Sequence, residues 1–536
     1  SFGGGTVNGN QISGNGSGGV YLASTSPTFN GGSIWGNGGA AASGYGVHAV
    51  NGSAAIFNSV PITGNGGTMH GYGVYASASP LQLNSVVITG NVGTTGNGYG
   101  VYVSSTVNSR IVGGTIAGNT GAASGLGAGV YVVTSTGSIS GTTVSGNGLA
   151  SLTSHGISVH NSTYTITNVT VTNHNTAGVY IDPSNAVMSG SVIADNPGDG
   201  VVVGSGSTLT MTNNVIHDNG GSTGAGVRVV TSTLVATNDQ IYLNGIGVAM
   251  NPSLGTLTGV TVTGNISNGL SVAGSTLHMV GGLVQGNGGN GIAGSLTSTL
   301  NLTNTIVDAN SGHGIKLSSG SVLYASGISV TNNSGAGINI DPSRAILVDS
   351  TVSGNTQRGL HVLGNSFFTM TAGTVSGNGT AGVHALTSTV AMSGSNVTNN
   401  SGHGLWLQAG SAVISTSNIL TNTNNGVFVS GGSATASDSV IQSNSYRGVE
   451  IQGGAVVTLL RNYIRYNDVG VRSGADGVPS TSVLRSNTIY GNSTNGATDR
   501  ALGGMDARGN WWGTNIPVWF GSAPRDLTGT VNITPW

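Results

Sequence analysis

The sequence predicts an all-β chain that winds into a single right-handed parallel β-helix, or β-solenoid, of about 21 coils. Three observations predict it: a motif that repeats about every 22 residues, hydrophobic residues that alternate with period two, and no helical periodicity. A repeat this short cannot bury its own apolar face, so the core must form by stacking each coil on the next. Parallel crossovers are almost always right-handed.

The repeat consists of Ile or Val, two further residues and Asn, then a short turn, then Gly and two aliphatic residues around one variable position. Of the 21 Asn positions, 20 hold Asn and one holds His174. The asparagines are Asn15, Asn37, Asn65, Asn91, Asn119, Asn147, Asn196, Asn219, Asn244, Asn265, Asn287, Asn310, Asn333, Asn355, Asn378, Asn400, Asn422, Asn444, Asn467 and Asn492. Stacked on one another, they predict a ladder of side-chain amides that bond to each other and to the turn.

The segment after each turn predicts which side chains face the core. In Gly178-Val179-Tyr180-Ile181, we expect Val179 and Ile181 to point inward and Tyr180 outward. The opening glycine is expected to supply a positive φ. Coils two to six have eight to ten residues between Asn and Gly, where most later coils have four, so they predict a longer loop that includes Tyr45, Tyr72 and Tyr99.

Charge divides the chain more sharply than the repeat does. Only 28 of 536 residues are charged, about 5%, where a globular domain has about 25%. Residues 1–181 contain one charged side chain, Arg110, whereas residues 461–536 contain twelve. We therefore divide the helix of residues 1–498 into nearly uncharged long-loop coils (1–181) and regular coils (182–498), followed by a C-terminal cap (499–536).

Composition also excludes several functions. A net charge of −2 argues against binding to nucleic acid, which needs a basic face. No apolar stretch reaches 18 residues, so no membrane span is expected. The chain has no cysteine, which excludes disulfides and cysteine zinc sites. We expect no cofactor and no metal, because acidic residues are scattered rather than clustered.

The repeat resembles right-handed parallel β-helix proteins, the group that contains pectate lyases, polygalacturonases and many secreted bacterial surface proteins. Near the end, Asn510-Trp511-Trp512-Gly513, Pro517 and Gly529–Trp536 resemble the closing segment of many bacterial surface β-helix repeat proteins. The resemblance implies a C-terminal cap and a secreted protein, extracellular or at the cell surface. It implies no particular activity, because this fold hosts many functions.

Acidic residues offer one candidate catalytic pair. Asp195 and Asp218 each precede the repeat Asn on adjacent coils, which predicts a separation of about 5 Å, near that of a retaining glycosidase pair. The alternative is two turn carboxylates in water. The Asn-Thr-Asp, Asp-Asp and Arg-Ile-Lys segments of polygalacturonases are absent. We therefore assign no catalytic residue and expect no enzyme, with glycosidase or lyase activity as the runner-up.

The variable position after the glycine faces outward and is largely aromatic in the first seven coils. Its residues there are Tyr21, His48, Tyr75, Tyr102, Tyr131, Ser158 and Tyr180. If exposed, this stripe would dock another subunit or stack on sugar rings; if the long loops cover it, it would form a satellite core.

Two functions are compatible with these patterns. The first is an extracellular structural protein that self-assembles into a homo-oligomer or polymer, as a filament, sheath or surface layer, through its uncharged N-terminal coils and open end. The alternative is a surface protein that binds or cleaves polysaccharide, with glycans as partners. It would use the aromatic stripe or the Asp195 and Asp218 pair.

Overall fold

The computed structural model describes residues 5–148, 153–474, 476–500, 504–513, 527–528 and 531–532. All regular elements in these residues are β-strands, which pair in parallel. The chain forms about 21 coils of about 23 residues, and this confirms the predicted parallel β-helix fold. Two compact units divide it, Ser1–Ser271 and Val272–Trp536. The divisions placed at residues 181 and 498 stay predictions.

Three columns of strands make up each unit. We call them the glycine-side sheet, which begins near the repeat Gly, the return sheet, which follows it, and the asparagine-side sheet, which precedes the repeat Asn. Each strand pairs with the equivalent strand of the next coil, as Thr143–Ser145 does with Thr170–Thr172. This places equivalent residues of successive coils directly above one another.

In the first unit, the glycine-side strands are Gly18–Ala23, Ser43–Val50, His70–Ser77, Gly98–Ser104, Leu126–Val133, Thr153–His160, Ala177–Ile181, Asp199–Val203, Ala225–Val230 and Ile246–Asn251. The return strands are Thr6–Asn8, Thr28–Asn30, Ile56–Asn58, Gln82–Asn84, Ser109–Val112, Thr136–Ser140, Thr163–Thr167, Asn185–Ser189, Thr208–Thr212, Thr233–Thr237 and Leu254–Thr258. The asparagine-side strands are Gln11–Ser13, Ser33–Trp35, Ile62–Thr63, Val87–Thr89, Thr115–Ala117, Thr143–Ser145, Thr170–Thr172, Val192–Ala194, Val215–His217, Gln240–Tyr242 and Thr261–Thr263. Two short strands, Gly66–Gly67 and Val92–Gly93, pair within the long loops.

The strand Leu270–Ala273 contains the boundary between the units. In the second unit, the glycine-side strands are Ile292–Ser295, Ile315–Ser318, Ile338–Asp341, Leu360–Val362, Val427–Ser430, Arg447–Gln452, Val469–Ser473, Asn495–Asp499 and Leu527–Thr528. The return strands are Thr276–Val280, Thr299–Thr303, Val322–Ser326, Arg344–Val348, Phe367–Thr371, Ser433–Ser437, Val456–Leu460, Thr481–Arg485, Met505–Asp506 and Val531–Asn532. Val383–Ser393 and Leu405–Ser415 each run through both sheets. The asparagine-side strands are Leu283–Gln285, Ile306–Asp308, Ser329–Thr331, Thr351–Ser353, Thr374–Ser376, Asn396–Thr398, Asn418–Leu420, Val440–Gln442, Tyr463–Arg465 and Thr488–Tyr490.

The core follows the predicted alternation. Val179 and Ile181 are fully buried, while Tyr180 between them is partly exposed. On the asparagine-side sheet, the middle residue of each short strand points inward, as Val171 and Val352 do. Because every coil adds aliphatic side chains at these positions, equivalent aliphatic side chains pack on one another along each unit. Burial of each such side chain stabilises the fold by about 1.5–3 kcal/mol.

The repeat asparagines stack as a hydrogen-bonded ladder. Asn119 is typical: its Nδ2 donates to the carbonyl oxygen of Ile88 at 3.0 Å and to Oδ1 of Asn147 at 2.8 Å. Its Oδ1 accepts from the backbone N and the Nδ2 of Asn91, at 3.1 and 2.7 Å. Each side chain therefore satisfies both its own amide and the backbone of the turn below it.

Serine side chains form further ladders at the other corners. Between the glycine-side and return sheets, the backbone N of Ser162 donates to Oγ of Ser184, and that of Ser184 donates to Oγ of Ser207, each at 3.0 Å. At the next corner, the backbone N of Ser395 donates to Oγ of Ser417 at 3.1 Å. Ser184 belongs to an Asp-Pro-Ser turn, so this turn residue has a structural role.

The expected role of the repeat glycine is wrong. Gly178 and its equivalents do not have positive φ; positive values fall at the corners of the coils, among them the residue before the repeat Asn, as at Gly354 with φ 65°. A Cβ on Gly178 would lie 2.6 Å from Cγ2 of Ile193 and 2.8 Å from the carbonyl oxygen of Gly200. The column is glycine because the coils pack too closely there for any side chain.

Replacing Gly178 with alanine is therefore expected to destabilise the first unit by about 2 kcal/mol, as overpacking does. Gly204→Ala is the matched control, since its Cβ would meet no atom closer than 3.6 Å. Thermal unfolding followed by circular dichroism measures both variants. Equal midpoints for the two variants would contradict the packing role of Gly178.

Two further predictions from the sequence concern membrane spans and the C-terminal cap. Within the part of the chain that the structure describes, no helix is long and apolar enough to cross a membrane. Of the predicted C-terminal cap, Pro517 and most of Gly529–Trp536 lie outside the described residues. The described part includes Asn510, whose Nδ2 donates to the carbonyl oxygen of Leu484 at 2.9 Å.

Candidate functional site

The outward stripe of the first unit forms a row across seven coils, in which Ser158 is fully buried. Strand pairing places its members directly beside one another, from Tyr21 next to His48 through to Ser158 next to Tyr180. We call Tyr21, His48, Tyr75, Tyr102, Tyr131, Ser158 and Tyr180 the tyrosine row. The rings of Tyr75, Tyr102 and Tyr131 are almost parallel, with centroids 5.1 and 5.4 Å apart.

A second aromatic column lies against the tyrosine row. Tyr45, Tyr72 and Tyr99 were expected in loops, but they lie within the long glycine-side strands and are in register with one another. Tyr99 is 2% exposed and Tyr72 is 9% exposed. Burial, followed by the neighbouring tyrosines, raises the pKa of both hydroxyls, so they stay protonated.

This second column covers the tyrosine row on one side only. Tyr75, Tyr102 and Tyr131 are half-buried against it, while Tyr21 is 54% exposed. Because the three parallel rings stack on one another, their faces are occupied and they present ring edges and hydroxyl groups outward. The row therefore offers a line of hydrogen-bonding groups rather than the open stacking faces that the sequence suggested.

Two polar pairs end the tyrosine row. Ser158 Oγ lies 2.8 Å from Nε2 of His160, and the hydroxyl of Tyr180 donates to Oδ2 of Asp182 at 2.9 Å. Burial, followed by the Asp182 hydrogen bond and charge, raises the pKa of Tyr180 to about 12. Burial lowers the pKa of His160, with Asp182 opposing the shift. At neutral pH this end therefore carries a neutral imidazole and a protonated phenol, whose proton is donated to Asp182.

His155 lies behind this end and supports it. Its ring stacks on Tyr180 with centroids 4.5 Å apart, and its Nδ1 lies 3.0 Å from Oγ1 of Thr176. Burial lowers the pKa of His155 to about 4, so the ring is neutral at physiological pH. A neutral ring packs on Tyr180 without burying a charge, and this fixes the orientation of the phenol.

A polar cavity of about 460 Å³ begins next to these pairs. It lies at the turn between the glycine-side and return sheets, where Asn161 follows His160 and Pro183 follows Asp182. Its lining is mostly hydroxyl and amide: Thr106, Val107, Thr134, Ser135, Thr136, Asn161, Ser162, Thr163, Pro183, Ser184, Asn185 and Gly206. The sequence gives no sign of this cavity, because the cavity depends on how the turns of neighbouring coils align.

The acidic pair proposed from sequence lies at a different corner. Asp195 and Asp218 are exposed turn residues with φ of 55° and 53°, in the position that glycine fills in other coils. Oδ2 of Asp218 lies 2.7 Å from Nδ1 of the adjacent His217. Both carboxylates therefore face solvent beside the asparagine ladder. No catalytic residue was assigned from the sequence, and a catalytic role for this pair stays an untested alternative.

The acidic and histidine side chains were also compared with the arrangement that a metal ion needs. Its residues contain no group of three or more His, Asp or Glu side chains placed to hold a metal ion. Next to the tyrosine row, Asp199 pairs with Arg228 through two hydrogen bonds of 2.7 and 2.8 Å. The candidate site is therefore the tyrosine row, its His160 and Tyr180 end, and the polar cavity.

Solved structures similar to the chain include the A-module of mannuronan C-5 epimerase AlgE6 from Azotobacter vinelandii, at 13% identity and a TM-score of 0.30, covering 70% of this chain and 91% of that one. The periplasmic alginate epimerase AlgG is 10% identical with a TM-score of 0.24, covering 69% and 77%. Pectate lyase Pel9A is 13% identical with a TM-score of 0.20, covering 59% and 68%.

Sequence comparison gives a more direct result. The model of the family described as "right handed beta helix region" matches residues 128–282, 323–464 and 410–501. No curated protein sequence matches the chain. The residues that match the family model include His160 and Tyr180 at the end of the tyrosine row, His155 behind them, and part of the lining of the polar cavity.

Proposed function

The chain belongs to the right-handed β-helix family, and from the geometry of its surface we propose that it binds polysaccharide along the tyrosine row and the adjoining polar cavity. Since this fold hosts unrelated functions, the proposal depends on the site and not on the family. The observation that carries it is a row of stacked tyrosine rings, one on each of three successive coils, near a cavity lined by hydroxyl and amide groups.

A polysaccharide carries hydrogen-bonding groups of the kind that this surface is able to bind. A polysaccharide is extended, repeats at regular intervals, and carries hydroxyl groups that both donate and accept hydrogen bonds. Tyrosine, serine, threonine and asparagine side chains do the same. The half-buried rings are already fixed by stacking, so little conformational entropy is lost when a ligand is bound.

The test is a double variant, Tyr102→Phe with Tyr131→Phe, which removes two hydroxyls and keeps both rings. Each hydrogen bond contributes about 1 kcal/mol, so binding of the preferred oligosaccharide is expected to weaken about tenfold or more. A glycan array selects the oligosaccharide and isothermal titration calorimetry measures its affinity. The same samples are assayed for release of reducing ends or unsaturated products, which tests the cleaving form of the hypothesis.

Tyr324→Phe with Tyr463→Phe is the matched control, because both side chains are about half exposed and lie in other sheets of the second unit. This variant is expected to bind as the unchanged protein does. Equal affinity of the Tyr102 and Tyr131 variant, or no binding to any member of a broad glycan panel, would contradict the proposal.

Self-association is a second candidate function, supported by the surface of the N-terminal coils. Residues 5–148 and 153–181 carry Arg110 as their one formally charged side chain, and large apolar side chains such as Trp35 and Val107 are 50% and 62% exposed. A near-neutral surface with exposed apolar side chains favours association. Sedimentation velocity over a hundredfold range of concentration tests this candidate, and a monomer throughout that range would exclude it.

A further inference from the structure

Three members of the tyrosine row form a parallel stack of rings on successive coils. The rings of Tyr75 and Tyr102 have centroids 5.1 Å apart and planes inclined by 3°, and those of Tyr102 and Tyr131 have centroids 5.4 Å apart and planes inclined by 4°. Strand pairing places each residue directly opposite the next. The faces of neighbouring rings therefore lie against each other, with equivalent carbon atoms side by side.

Contacts between the tyrosine row and the second aromatic column have a different geometry. The ring of Tyr72 is inclined by 79° to that of Tyr75 and by 76° to that of Tyr102, so an edge meets a face. The difference matters for one-electron oxidation, because the unpaired electron of a phenoxyl radical occupies a π orbital perpendicular to the ring. Two such radicals form a bond when ring faces meet, which favours the stacked pairs over the perpendicular ones.

The two columns also differ in their access to water. Tyr75, Tyr102 and Tyr131 are half-buried, whereas Tyr99 is 2% exposed. Burial, followed by the neighbouring tyrosines, raises the pKa of the Tyr99 and Tyr102 hydroxyls, so each phenol must lose a proton together with an electron when it is oxidised. The outward hydroxyl of Tyr102 can release this proton to solvent, and the enclosed hydroxyl of Tyr99 cannot. Oxidation is therefore expected on the tyrosine row rather than on the second column.

We propose that this stack is a site of oxidative cross-linking, at which hydrogen peroxide and a haem peroxidase join Tyr102 to Tyr75 or to Tyr131 as dityrosine. Each phenol loses one electron and its hydroxyl proton, and the two radicals form one carbon–carbon bond between carbons ortho to the oxygens. The proton on each bonded carbon then leaves and one proton returns to each phenol oxygen, which restores both aromatic rings. The peroxide takes up the two electrons and the two protons and becomes two molecules of water. This modification requires no bound ligand, so it goes beyond the function proposed above.

The bond connects parts of the chain that are far apart in sequence. Tyr102 and Tyr131 are separated by 29 positions, and the chain has no cysteine, so disulfides do not link its coils. A covalent link that closes a loop of this length restricts the unfolded chain and raises stability, as a disulfide does. The tyrosine stack therefore offers this chain a covalent link between coils that its sequence otherwise lacks.

The test uses the full chain at low concentration, treated with hydrogen peroxide and a haem peroxidase, after which the monomer is isolated. Trypsin cleaves after Lys and Arg, so digestion of the denatured protein separates residues 1–110, which contain Tyr102, from residues 111–228, which contain Tyr131. A bond between these two tyrosines keeps the fragments joined, and mass spectrometry is expected to find their summed mass less two hydrogen atoms. A bond between Tyr75 and Tyr102 removes two hydrogen atoms within residues 1–110.

Tyr102→Phe is expected to reduce the dityrosine fluorescence of the monomer at least severalfold, because phenylalanine keeps the ring and has no phenol to oxidise. Tyr180→Phe is the matched control, since Tyr180 belongs to the same row but lies three coils from Tyr102. It is expected to leave the fluorescence and the joined fragments unchanged. Equal dityrosine yields from the two variants would overturn the proposal.

The chain also contains an internal control for geometry. Tyr466 and Tyr490 have ring centroids 5.5 Å apart but planes inclined by 75°, and Tyr466 is 52% exposed. If proximity and exposure alone determined coupling, this pair would react first. The stacked geometry predicts severalfold more product at Tyr102 than at Tyr466. A predominant bond between Tyr466 and Tyr490, or between Tyr72 and Tyr99, would contradict the assignment to the stack.

Thermal unfolding provides a second readout. The oxidised protein is compared with Tyr102→Phe treated in the same way, so that damage to other side chains is equal in both samples. The midpoint of the first unit is expected to be several degrees higher in the cross-linked protein, because the link restricts its unfolded chain. Equal midpoints would overturn the stabilising effect of the bond.

Discussion

Asn355→Ala is expected to lower the stability of the second unit by about 3 kcal/mol or more. Oδ1 of Asn355 accepts from the backbone N and the Nδ2 of Asn333, at 3.0 and 2.9 Å. Its Nδ2 donates to the carbonyl oxygen of Val330 at 3.2 Å and to Oδ1 of Asn378 at 3.0 Å. Alanine leaves the buried backbone N of Asn333 without its acceptor and removes a donor from the carbonyl oxygen of Val330, while Nδ2 of Asn333 and Oδ1 of Asn378 keep other partners. An unsatisfied buried group costs about 1–3 kcal/mol, and the lost ladder hydrogen bonds add to this.

Hydrogen exchange measured by mass spectrometry is the appropriate method, because a repeat protein opens coil by coil and need not unfold in one step. Protection is expected to fall most in the coils that contain Asn333, Asn355 and Asn378. Gln357→Ala removes an exposed amide two residues away and is expected to leave protection unchanged. A uniform loss along the unit, or no loss, would show that the ladder does not stabilise coils locally.

Acid is expected to destabilise the first unit through His174, the one histidine in the asparagine ladder. Nδ1 of His174 lies 3.2 Å from Oδ1 of Asn196 and its Nε2 lies 3.3 Å from Nδ2 of Asn147. The acceptor on one side and the donor on the other require a neutral ring with its proton on Nδ1. A second proton would set Nε2–H against the Asn147 amide, and burial lowers the pKa of His174 to about 4.

The direction of the effect follows from this lowered value. Unfolded His174 titrates near pH 6.5, so between pH 6.5 and 4 the unfolded chain binds more protons than the folded one. Stability is therefore lost as the pH falls through this window and then levels off. At pH 5 the loss from this residue is about 2 kcal/mol.

His174→Asn is expected to remove that loss, because asparagine completes the ladder and does not titrate. Thermal unfolding at pH 7 and pH 5 measures it: the difference between the two midpoints should shrink in the variant. His155, whose pKa is also about 4, keeps some acid sensitivity in place. His278→Asn, at an exposed position, serves as the control. An unchanged difference for His174→Asn would contradict the assigned hydrogen bonds.

The repeat predicted most of the fold, because one period determines every coil. Val179 and Ile181 point inward as the alternation indicated, and the asparagines are aligned in each unit. The serine ladders were not predicted, because serine is so common in this sequence that its recurrence at one position of the coil is not visible. The sequence suggested that the repeat position is glycine because of its backbone angle. The true reason is the close approach of Ile193 to Gly178, which is a contact between coils that the repeat alone does not show.

The candidate sites were less predictable, for a related reason. Tyr45, Tyr72 and Tyr99 were expected in loops because the spacing between Asn and Gly gives no sign that the strands extend toward the turn. The stacking of Tyr75, Tyr102 and Tyr131 in turn depends on a register that aligns the outward positions of successive coils. A repeat predicts which positions face outward, whereas the partners of an outward side chain depend on its neighbours above and below.

The asparagine ladder also gives each unit an electrical direction. Along the ladder, Oδ1 accepts from the preceding asparagine and Nδ2 donates to Oδ1 of the next one as well as to a carbonyl of the preceding coil, as in Asn119. Their dipoles are therefore parallel and add, as peptide dipoles do along a helix. The C-terminal end of such a column of amides is its positive pole and the N-terminal end its negative pole. The two faces of a coil are therefore not equivalent, and a coil with its amides reversed would oppose the electric field of its neighbours.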